Sequence, residues 1–364
     1  MTIYIVPIEP IDTRYTRQWY EHIPELLDAV GSDVAIIEGD NVPATPTPGA
    51  FLDFGATNIY KSSQLMSIAQ LFRENLIHDG DKFLYTDAWN PTVIQLRYMA
   101  ELLGKKIEIH GLWHAGSYDP QDFLGRLVGD VPWVRNAESS MFYTYDTNWF
   151  ATRFHSNLFL RELLGVETLF AVDETEEFIL GCGDSEVNRI KLTGWPMEYM
   201  APLLAPFAST AKQDKIIFPH RLAPEKQLEI FKDLAATMPE YEWFIAQDQK
   251  LSKYEYHKHL AESKIAFSAN LQETLGISMY EAALVGTYPM VPDRLSYTEM
   301  WAECYPSEWT MNWDSYQANK DKIVAHIRSV MSRNSLAEHA LAEAEQVGNK
   351  FFNATALKQA LTHA

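Results

Sequence analysis

Short runs of β-branched and aromatic residues alternate with longer amphipathic segments along the first half of the chain. The runs that predict strands lie at 3–8, 33–39, 82–88, 105–113, 148–156 and 188–196. The intervening segments that predict helices lie at 16–30, 62–76, 91–103 and 156–164. Because strands and helices alternate, this half of the chain is expected to form βα units around a parallel sheet.

A second series of the same kind follows a proline-rich passage at 194–207, which we interpret as a linker. Its predicted strands lie at 214–221, 242–248, 264–270 and 288–293. Its predicted helices lie at 224–237, 254–262 and 277–285. The pattern therefore predicts an α/β protein of two Rossmann-like, doubly wound domains. We expect them to face each other across a cleft at the carboxyl ends of both sheets, where folds of this class bind ligands.

The predicted domain boundaries follow from the same pattern. Residues 1–196 are expected to form the first domain and 197–320 the second, and the alanine-rich segment 321–364 predicts helices that close the fold. The polar, proline-rich segment at 41–55 predicts a loop, because too little chain precedes it for a complete domain.

Composition agrees with a large globular protein. The chain has 364 residues, of which 47% are hydrophobic, so two cores are a natural expectation. Cys182 and Cys304 have no metal-ligand spacing and cannot form a disulfide framework, which favours a reducing compartment. The N-terminal apolar run is too short for a signal peptide and no later run is long enough to span a bilayer, so the cytoplasm is the expected location.

The net charge of −19 limits the possible partners. Long-range repulsion opposes binding to phosphate backbones, which disfavours a protein that works mainly by wrapping nucleic acid. A local basic groove remains compatible with this charge.

The stretch ETLGISMYEAALVG holds the first candidate chemistry, with Glu273 before a glycine and Glu281 inside a predicted helix. Gly276 allows a tight turn, and a helix beginning near Ile277 or Ser278 presents free N–H groups and the positive end of its dipole to a diphosphate. Glu273 is then placed to accept hydrogen bonds from sugar hydroxyls, and Glu281 from a ribose diol. The residues expected to bind the donor around this turn are Thr274, Leu275, Gly276, Ile277 and Glu281.

A diphosphate also needs cations, because a helix dipole supplies only about half a charge. In PHRLAPEK, Arg221 lies at a predicted strand end and Lys226 at the start of the next helix, where both could clamp the phosphates. The two cations would neutralise the leaving group in place of a divalent metal ion. The alternative is that they form surface ion pairs with Glu225 or Glu229.

Glu273 with Glu281 and Arg221 with Lys226 reproduce the E-x7-E and R-x4-K motifs of the retaining GT-B glycosyltransferases, in the large family 4-like group that includes sucrose and mannosyl transferases. Within that group, residues 214–302 resemble the C-terminal domain of tRNA-queuosine mannosyltransferases. These proteins share the ending G-x-YP-x-x-P-x-x-L-x-Y, here 286–297. The resemblance implies that 197–320 binds the nucleotide sugar.

The N-terminal half resembles a group of bacteriophage-encoded glycosyltransferases in the segments IYIVPIEPIDTRYTRQWYEHIP, FLYTDAWNPT and IHGLWHAGSYDPQDFLG. It lacks the Gly-Gly pair that often follows the first strand in GT-B enzymes. In phages such enzymes are plausible agents of DNA hypermodification, which implies host cytoplasm as the location and 1–196 as the acceptor-binding domain.

The resemblance implies transfer of a hexose or pentose from a UDP- or GDP-sugar with retention of configuration, without a metal or other cofactor. Glu273, His114, Arg221 and Lys226 are the implied catalytic residues, His114 by orienting a sugar hydroxyl or stabilising an oxocarbenium-like state. Histidine near a strand end is also common as a buried structural group. The residues implied on the acceptor side are Arg14, Tyr15, Asp87, Trp89 and Tyr118.

The acceptor predicted from both resemblances is a hydroxymethylated base in phage DNA. A base flipped out of the duplex needs only a local groove, for which the candidates are Arg14, Arg17, Lys61, Arg73 and Arg97. Four aromatic residues could stack on such a base, although we favour a core role for them: Trp89, Trp113, Tyr118 and Trp133. The alternatives are the same chemistry on a tRNA, small-molecule or glycan acceptor, or a sugar-nucleotide-binding protein without transfer activity.

Overall fold

The computed structural model describes residues 1–12, 14–40, 42, 53–166 and 189–362. The chain divides into two compact units. Unit 1 comprises Met1–Met197 and Ala354–Ala364, and unit 2 comprises Glu198–Asn353.

Unit 1 is built on a parallel sheet whose described strands have the order β2-β1-β3-β4-β5-β6. The strands are β1 Thr2–Val6, β2 Asp33–Ile36, β3 Lys82–Tyr85, β4 Glu108–Leu112, β5 Thr147–Phe150 and β6 Ile190–Leu192. The helices are α1 Tyr15–Asp28, α2 Ala56–Arg73, α3 Thr92–Leu102, α4 Phe123–Val128, α5 Pro132–Thr144 and α6 Arg153–Leu164. All four residues of β3 are buried, as expected for a central strand covered on both faces.

Unit 2 has a second parallel sheet, of order β10-β9-β7-β8. Its strands are β7 Gln213–Phe218, β8 Glu242–Ile245, β9 Ser263–Phe267 and β10 Tyr288–Met290. Its helices are α7 Met200–Leu204, α8 Leu228–Thr237, α9 Lys253–Glu262, α10 Ile277–Leu284, α11 Tyr297–Met300, α12 Trp313–Met331 and α13 Leu336–Phe351. The last helix, α14 Thr355–Thr362, belongs to unit 1.

Each unit has its own hydrophobic core. Phe83, Trp113 and Phe159 lie at the centre of the core of unit 1 and are fully buried. Ile216 and Phe267 have the same role in unit 2, together with apolar side chains of α12. The prediction of two α/β domains with parallel sheets is therefore confirmed.

The predicted strand at 148–156 is wrong in its second half. The strand β5 ends at Phe150 and helix α6 begins at Arg153. Thr152 is the cause, since its hydroxyl accepts a hydrogen bond from the backbone N–H of His155 at 3.2 Å and so caps the helix. Aromatic and polar residues alternate throughout this segment, so its pattern predicted a strand that continues past Thr152.

The other predicted connections are described only in part. The passage 194–207 contains the boundary between the units, and part of it is helical, as α7 and the 3₁₀ turn Ala205–Phe207. Almost all of the predicted loop at 41–55, as well as Cys182, lies outside the described residues. In the part of the chain that the structure describes, no helix has the length and apolar character needed to cross a membrane.

Candidate functional site

Most candidate donor residues of unit 2 lie in the loops that follow β7 and β9, while Ile277 and Glu281 lie in helix α10 after the second loop. These two strands are neighbours in a parallel sheet, so the loops after their carboxyl ends lie side by side. The ammonium group of Lys226 donates to the carbonyl oxygen of Gln272 at 2.6 Å and lies 3.5 Å from Oε2 of Glu273. The fold thus joins one residue of each predicted motif, R-x4-K and E-x7-E.

Lys226 is 5% exposed, so its ammonium group has lost most of its contact with water, which disfavours the charged form. Burial lowers the pKa of the Lys226 ammonium group, the carboxylate of Glu273 raises it, and the nearby guanidinium of Arg221 lowers it further. A bound anion would stabilise the ammonium form, because it would add a second negative charge to this buried position.

Arg221 is anchored by Glu225 four residues later. Its Nε donates to Oε1 of Glu225 at 3.0 Å, and Nη2 donates to the same oxygen. Burial raises the pKa of Glu225, but the charge and hydrogen bonds of Arg221 outweigh it and lower the pKa below its ordinary value. Arg221 therefore forms the ion pair that the alternative interpretation named, but its partner is a buried carboxylate rather than a surface one.

The turn before α10 has the predicted form. Gly276 has φ +79°, in the left-handed region, and the helix begins at Ile277. A Cβ at position 276 would lie 2.8 Å from Cε1 of Tyr297, so both backbone conformation and space require glycine. Gln272, Thr274 and Leu275 are buried, Glu273 is partly buried, and the Thr274 N–H donates to Oε1 of Glu273 at 3.2 Å. This places a helix N-terminus next to the Glu273 carboxylate.

Glu281, one turn into α10, is held by helix α9. The hydroxyl of Tyr256 donates to Oε2 of Glu281 at 3.1 Å, and Nε2 of His257 lies 3.8 Å from Oε1. A carboxylate has capacity for about four hydrogen bonds, so these contacts leave room for a diol.

His220 is a buried residue of the β7 loop that neither sequence motif includes. Its Nδ1 lies 3.4 Å from the hydroxyl of Ser278 in the first turn of α10, and its buried Nε2 has no hydrogen-bond partner among the residues that the structure describes. Burial lowers the pKa of His220 well below its ordinary value, and Lys226 and Arg221 lower it further. The imidazole is therefore neutral, which avoids a third positive charge in this group.

In unit 1, His114 forms a hydrogen-bonded chain with Tyr15 and Thr86. Nε2 of His114 lies 2.6 Å from the carbonyl oxygen of Thr86, and Nδ1 lies 2.7 Å from the hydroxyl of Tyr15. Since a carbonyl can only accept, Nε2 carries the proton and Nδ1 accepts from Tyr15. Burial lowers the pKa of His114, which keeps it neutral. The side chains of Trp19 and Trp195 pack against its ring.

Asp87 and Trp89 lie in the loop after β3 and are tied to Lys61. The Lys61 ammonium group donates to the Trp89 carbonyl at 2.7 Å and lies 3.5 Å from Oδ2 of Asp87. The Trp89 indole donates to Oε1 of Glu138 at 2.8 Å. Glu138 is fully buried, and burial raises the pKa of its carboxyl group. This cluster fixes the indole of Trp89 at the carboxyl edge of the sheet.

Tyr118 is part of the core. Its hydroxyl lies 2.6 Å from Nε2 of His155, and burial lowers the pKa of His155 to about 3. Trp113 is also buried, so the core role is confirmed for Tyr118 and Trp113, whereas Trp89 is partly buried and packs against this core. For Trp133 it is wrong. This residue is 66% exposed, because it lies at the start of α5 away from the buried face that Val134 and Phe142 define.

The residues predicted to form a basic groove are mostly paired with carboxylates. Arg17 lies 2.9 Å from Glu21 and Arg97 lies 2.7 Å from Asp146. Lys61 is buried beside Asp87, whereas Arg73 is exposed on α2 and Arg14 is half-buried. These ion pairs reduce the positive potential that a phosphate backbone would meet.

Two residues of the site could not be found from sequence motifs. Asn270 donates from Nδ2 to the hydroxyl of Tyr297 at 2.9 Å and lies 3.5 Å from Oε2 of Glu273. Both side chains are buried. A weak signal was available, because Asn270 lies three residues before Glu273 and Tyr297 closes the unusual ending of 286–297.

No protein-family model matches the chain, and none of the curated proteins matches its sequence. Solved structures do match over nearly the whole chain. Sucrose-phosphate synthase from Thermosynechococcus elongatus superposes with a TM-score of 0.61 at 10% identity, covering 99% of this chain and 97% of that one. The UDP-forming trehalose-phosphate synthase from Burkholderia vietnamiensis has a TM-score of 0.56 at 12% identity, covering 95% and 96%.

An Anabaena protein, HepE, solved with UDP and glucose, has a TM-score of 0.53 at 11% identity and covers 99% of this chain and 98% of that one. At such low identity these likenesses show the fold. The chain has the GT-B glycosyltransferase fold, with two α/β units on parallel sheets.

Proposed function

We propose that this protein is a retaining glycosyltransferase that takes its sugar from a nucleoside diphosphate. The observation that carries the proposal is the meeting of Lys226 and Glu273 beside the N-terminus of α10. This combination supplies a cation, the positive end of a helix dipole and a carboxylate that can accept hydrogen bonds from sugar hydroxyls, all within one group of loops. The sequence motifs E-x7-E and R-x4-K support the same function.

In this proposal the diphosphate binds at Lys226, Arg221 and the N–H groups that follow Gly276. Glu225 orients the Arg221 guanidinium through two hydrogen bonds, and the planar fork of a guanidinium is suited to binding phosphate oxygens. Glu281 accepts hydrogen bonds from the ribose diol, and Glu273 accepts them from the sugar hydroxyls.

Transfer breaks the bond between the anomeric carbon and the phosphate oxygen and forms a bond to the acceptor oxygen on the same face. The acceptor proton passes to the departing diphosphate. Lys226, Arg221 and the helix dipole stabilise the charge that develops on this leaving group. Because these groups are preorganised, the donor site is expected to work without a metal ion, and that expectation stays a prediction.

A uridine donor has support from the structural neighbours. One trehalose-phosphate synthase among them is UDP-forming, and the Anabaena HepE structure holds UDP and glucose. GDP-sugars stay in the test, because the sequence motifs do not distinguish the two bases. The proposal keeps the role of His114 that the resemblance implies, which is to orient a sugar hydroxyl or stabilise an oxocarbenium-like state. Both of its ring nitrogens have partners in unit 1.

The acceptor is proposed in two forms. The sequence resemblances support a hydroxymethylated base of phage DNA. The ion pairs of Arg17, Lys61 and Arg97, with a net charge of −19, favour a small-molecule or glycan acceptor instead. The cytoplasmic location predicted from the sequence is compatible with both forms.

The test is a transfer assay read by mass spectrometry. The protein is incubated with UDP- and GDP-sugars in EDTA, with 5-hydroxymethylcytosine DNA, unmodified DNA, tRNA and a panel of small hydroxyl acceptors. A sugar-sized mass gain on the modified DNA alone establishes the first acceptor, and a gain on a small acceptor establishes the second. Binding without turnover of any donor indicates a sugar-nucleotide-binding protein, and failure to bind any donor contradicts the proposal.

Glu273→Gln is the informative variant in this assay. The amide keeps the size of the side chain but loses the negative charge that accepts sugar hydroxyls, so we expect transfer to fall by about 100-fold. Glu229→Gln is the matched control on helix α8, and its activity should stay within about twofold of the wild type.

A further inference from the structure

The segment after β10 is packed against the loop that carries Glu273. Arg294 donates from Nε to the carbonyl oxygen of Asn270 and from Nη2 to that of Ala269, both at 2.7 Å. Gln227 donates from Nε2 to the Ala269 carbonyl at 2.6 Å. Two side chains from outside the loop therefore fix its backbone just before Glu273.

Tyr297 extends this support to the side chains of the loop. It is fully buried, and Cε1 of its ring occupies the space that a Cβ at Gly276 would need. Its hydroxyl lies 2.9 Å from Nδ2 of Asn270 and 3.2 Å from the hydroxyl of Ser268. One side chain thus contacts both the glycine turn and the polar residues that precede Glu273.

The direction of these hydrogen bonds follows from the donors available. Asn270 has two N–H groups on Nδ2, which point to the Tyr297 oxygen and towards Oε2 of Glu273 at 3.5 Å. Tyr297 accepts from Asn270 and is then left to donate to Ser268. The opposite orientation of the amide would set its oxygen against a carboxylate, which is repulsive.

We infer that Tyr297 is a positioning residue for the donor site. Through Asn270 and through its ring beneath Gly276, it holds the Glu273 carboxylate and the first turn of α10 in one arrangement. This inference rests on the proposed function, which assigns Glu273 to the sugar. It gives a role to the last tyrosine of the ending at 286–297, which the donor motifs leave unexplained.

The direct test is Tyr297→Phe, which keeps the ring against Gly276 and removes only the hydroxyl. We expect kcat to fall by about tenfold, because Asn270 loses its acceptor and Glu273 its fixed geometry. The KM for the donor should change less than about threefold, since the cations that bind the diphosphate are untouched. Tyr288→Phe is the matched control, because Tyr288 is a buried tyrosine of the same unit whose hydroxyl donates to Glu303 at 3.0 Å.

An equal loss in both variants, or an unchanged kcat in Tyr297→Phe, overturns the inference. A second measurement does not depend on enzymatic activity. The unfolding equilibria of Tyr297→Phe, Glu273→Gln and the double variant form a thermodynamic cycle. Coupling of more than about threefold in the unfolding constant supports the inference, and additive effects overturn it. If the wild type binds no nucleotide sugar, the proposed function fails, and this cycle alone decides the positioning role.

Discussion

Lys226 and Glu273 are 47 residues apart in sequence, yet the ammonium nitrogen of one lies 3.5 Å from a carboxylate oxygen of the other. They meet because β7 and β9 are adjacent parallel strands, whose following loops lie at the same edge of the sheet. A buried cation is thereby paired with a carboxylate beside a helix N-terminus. We expect this pair to bind the nucleoside diphosphate and the sugar of the donor.

Replacement of Lys226 by glutamine should weaken use of the donor. Loss of the cation removes a charge-assisted contact with the leaving diphosphate, so we expect kcat/KM to fall by about 100-fold. Steady-state kinetics with the preferred nucleotide sugar measures this effect. Lys232→Gln is the control on the exposed side of α8, and a comparable loss there would mean that general charge, not the site, is responsible.

Gly276→Ala should damage both stability and donor binding. The alanine would have to adopt φ +79°, and its Cβ would lie 2.8 Å from Cε1 of Tyr297. Gly104 has φ +66° with nothing within 4 Å, so Gly104→Ala has the conformational cost alone. That cost is about 1–2 kcal/mol, and chemical denaturation should show Gly276→Ala to be destabilised by at least about 1 kcal/mol more. Equal losses would show that the space beneath Gly276 adjusts freely.

The stability of the protein should fall as pH is lowered below 6.5. The pKa of the buried His155 is about 3, whereas an unfolded histidine titrates near 6.5. Between these values the unfolded chain binds the extra proton, so stability rises with pH and is lost as pH falls from 6.5 towards 3. One such proton gives a slope of about 1.4 kcal/mol per pH unit.

His155→Gln should flatten that slope while keeping an acceptor for the hydroxyl of Tyr118. Denaturation at several pH values between about 4 and 6 measures the slope directly. His78→Gln, at an exposed position, should leave it unchanged. An unaltered slope in His155→Gln would show that His155 does not stay neutral in the folded protein.

Arg97→Gln distinguishes a structural arginine from a nucleic-acid contact. Arg97 donates to Asp146 at 2.7 Å and to the carbonyl oxygen of Thr144 at 2.9 Å. We therefore expect a loss of about 1 kcal/mol or less in unfolding free energy and no change in acceptor KM. A large rise in KM for a DNA acceptor, with a weaker dependence on salt, would instead place Arg97 in the groove.

Much of the fold could be predicted from the sequence, because the alternation of strands and helices is regular and parallel strands are continuous apolar runs. The glycine turn before α10 was also predictable, since Gly276 and the helix start are local features. The second half of the strand at 148–156 was not, because the Thr152 cap depends on one side-chain hydrogen bond.

The candidate site was predictable only where a motif marks it. The contact between Lys226 and Glu273 follows from strand order, which the sequence pattern does not specify. The hydrogen-bond partners of His114 are the hydroxyl of Tyr15 and the carbonyl oxygen of Thr86, which are far apart in sequence. Such contacts depend on tertiary packing, so they emerge only from the structure.

Donor turnover can be followed by NMR in the presence of EDTA to test whether the protein is a metal-independent, retaining glycosyltransferase. Phosphorus signals report release of the nucleoside diphosphate, and the anomeric proton of the product reports its configuration. If the proposed function is correct, at least one UDP- or GDP-sugar is consumed without metal and the transferred sugar keeps its anomeric configuration. Consumption of none of these donors, or a product of inverted configuration, would contradict it.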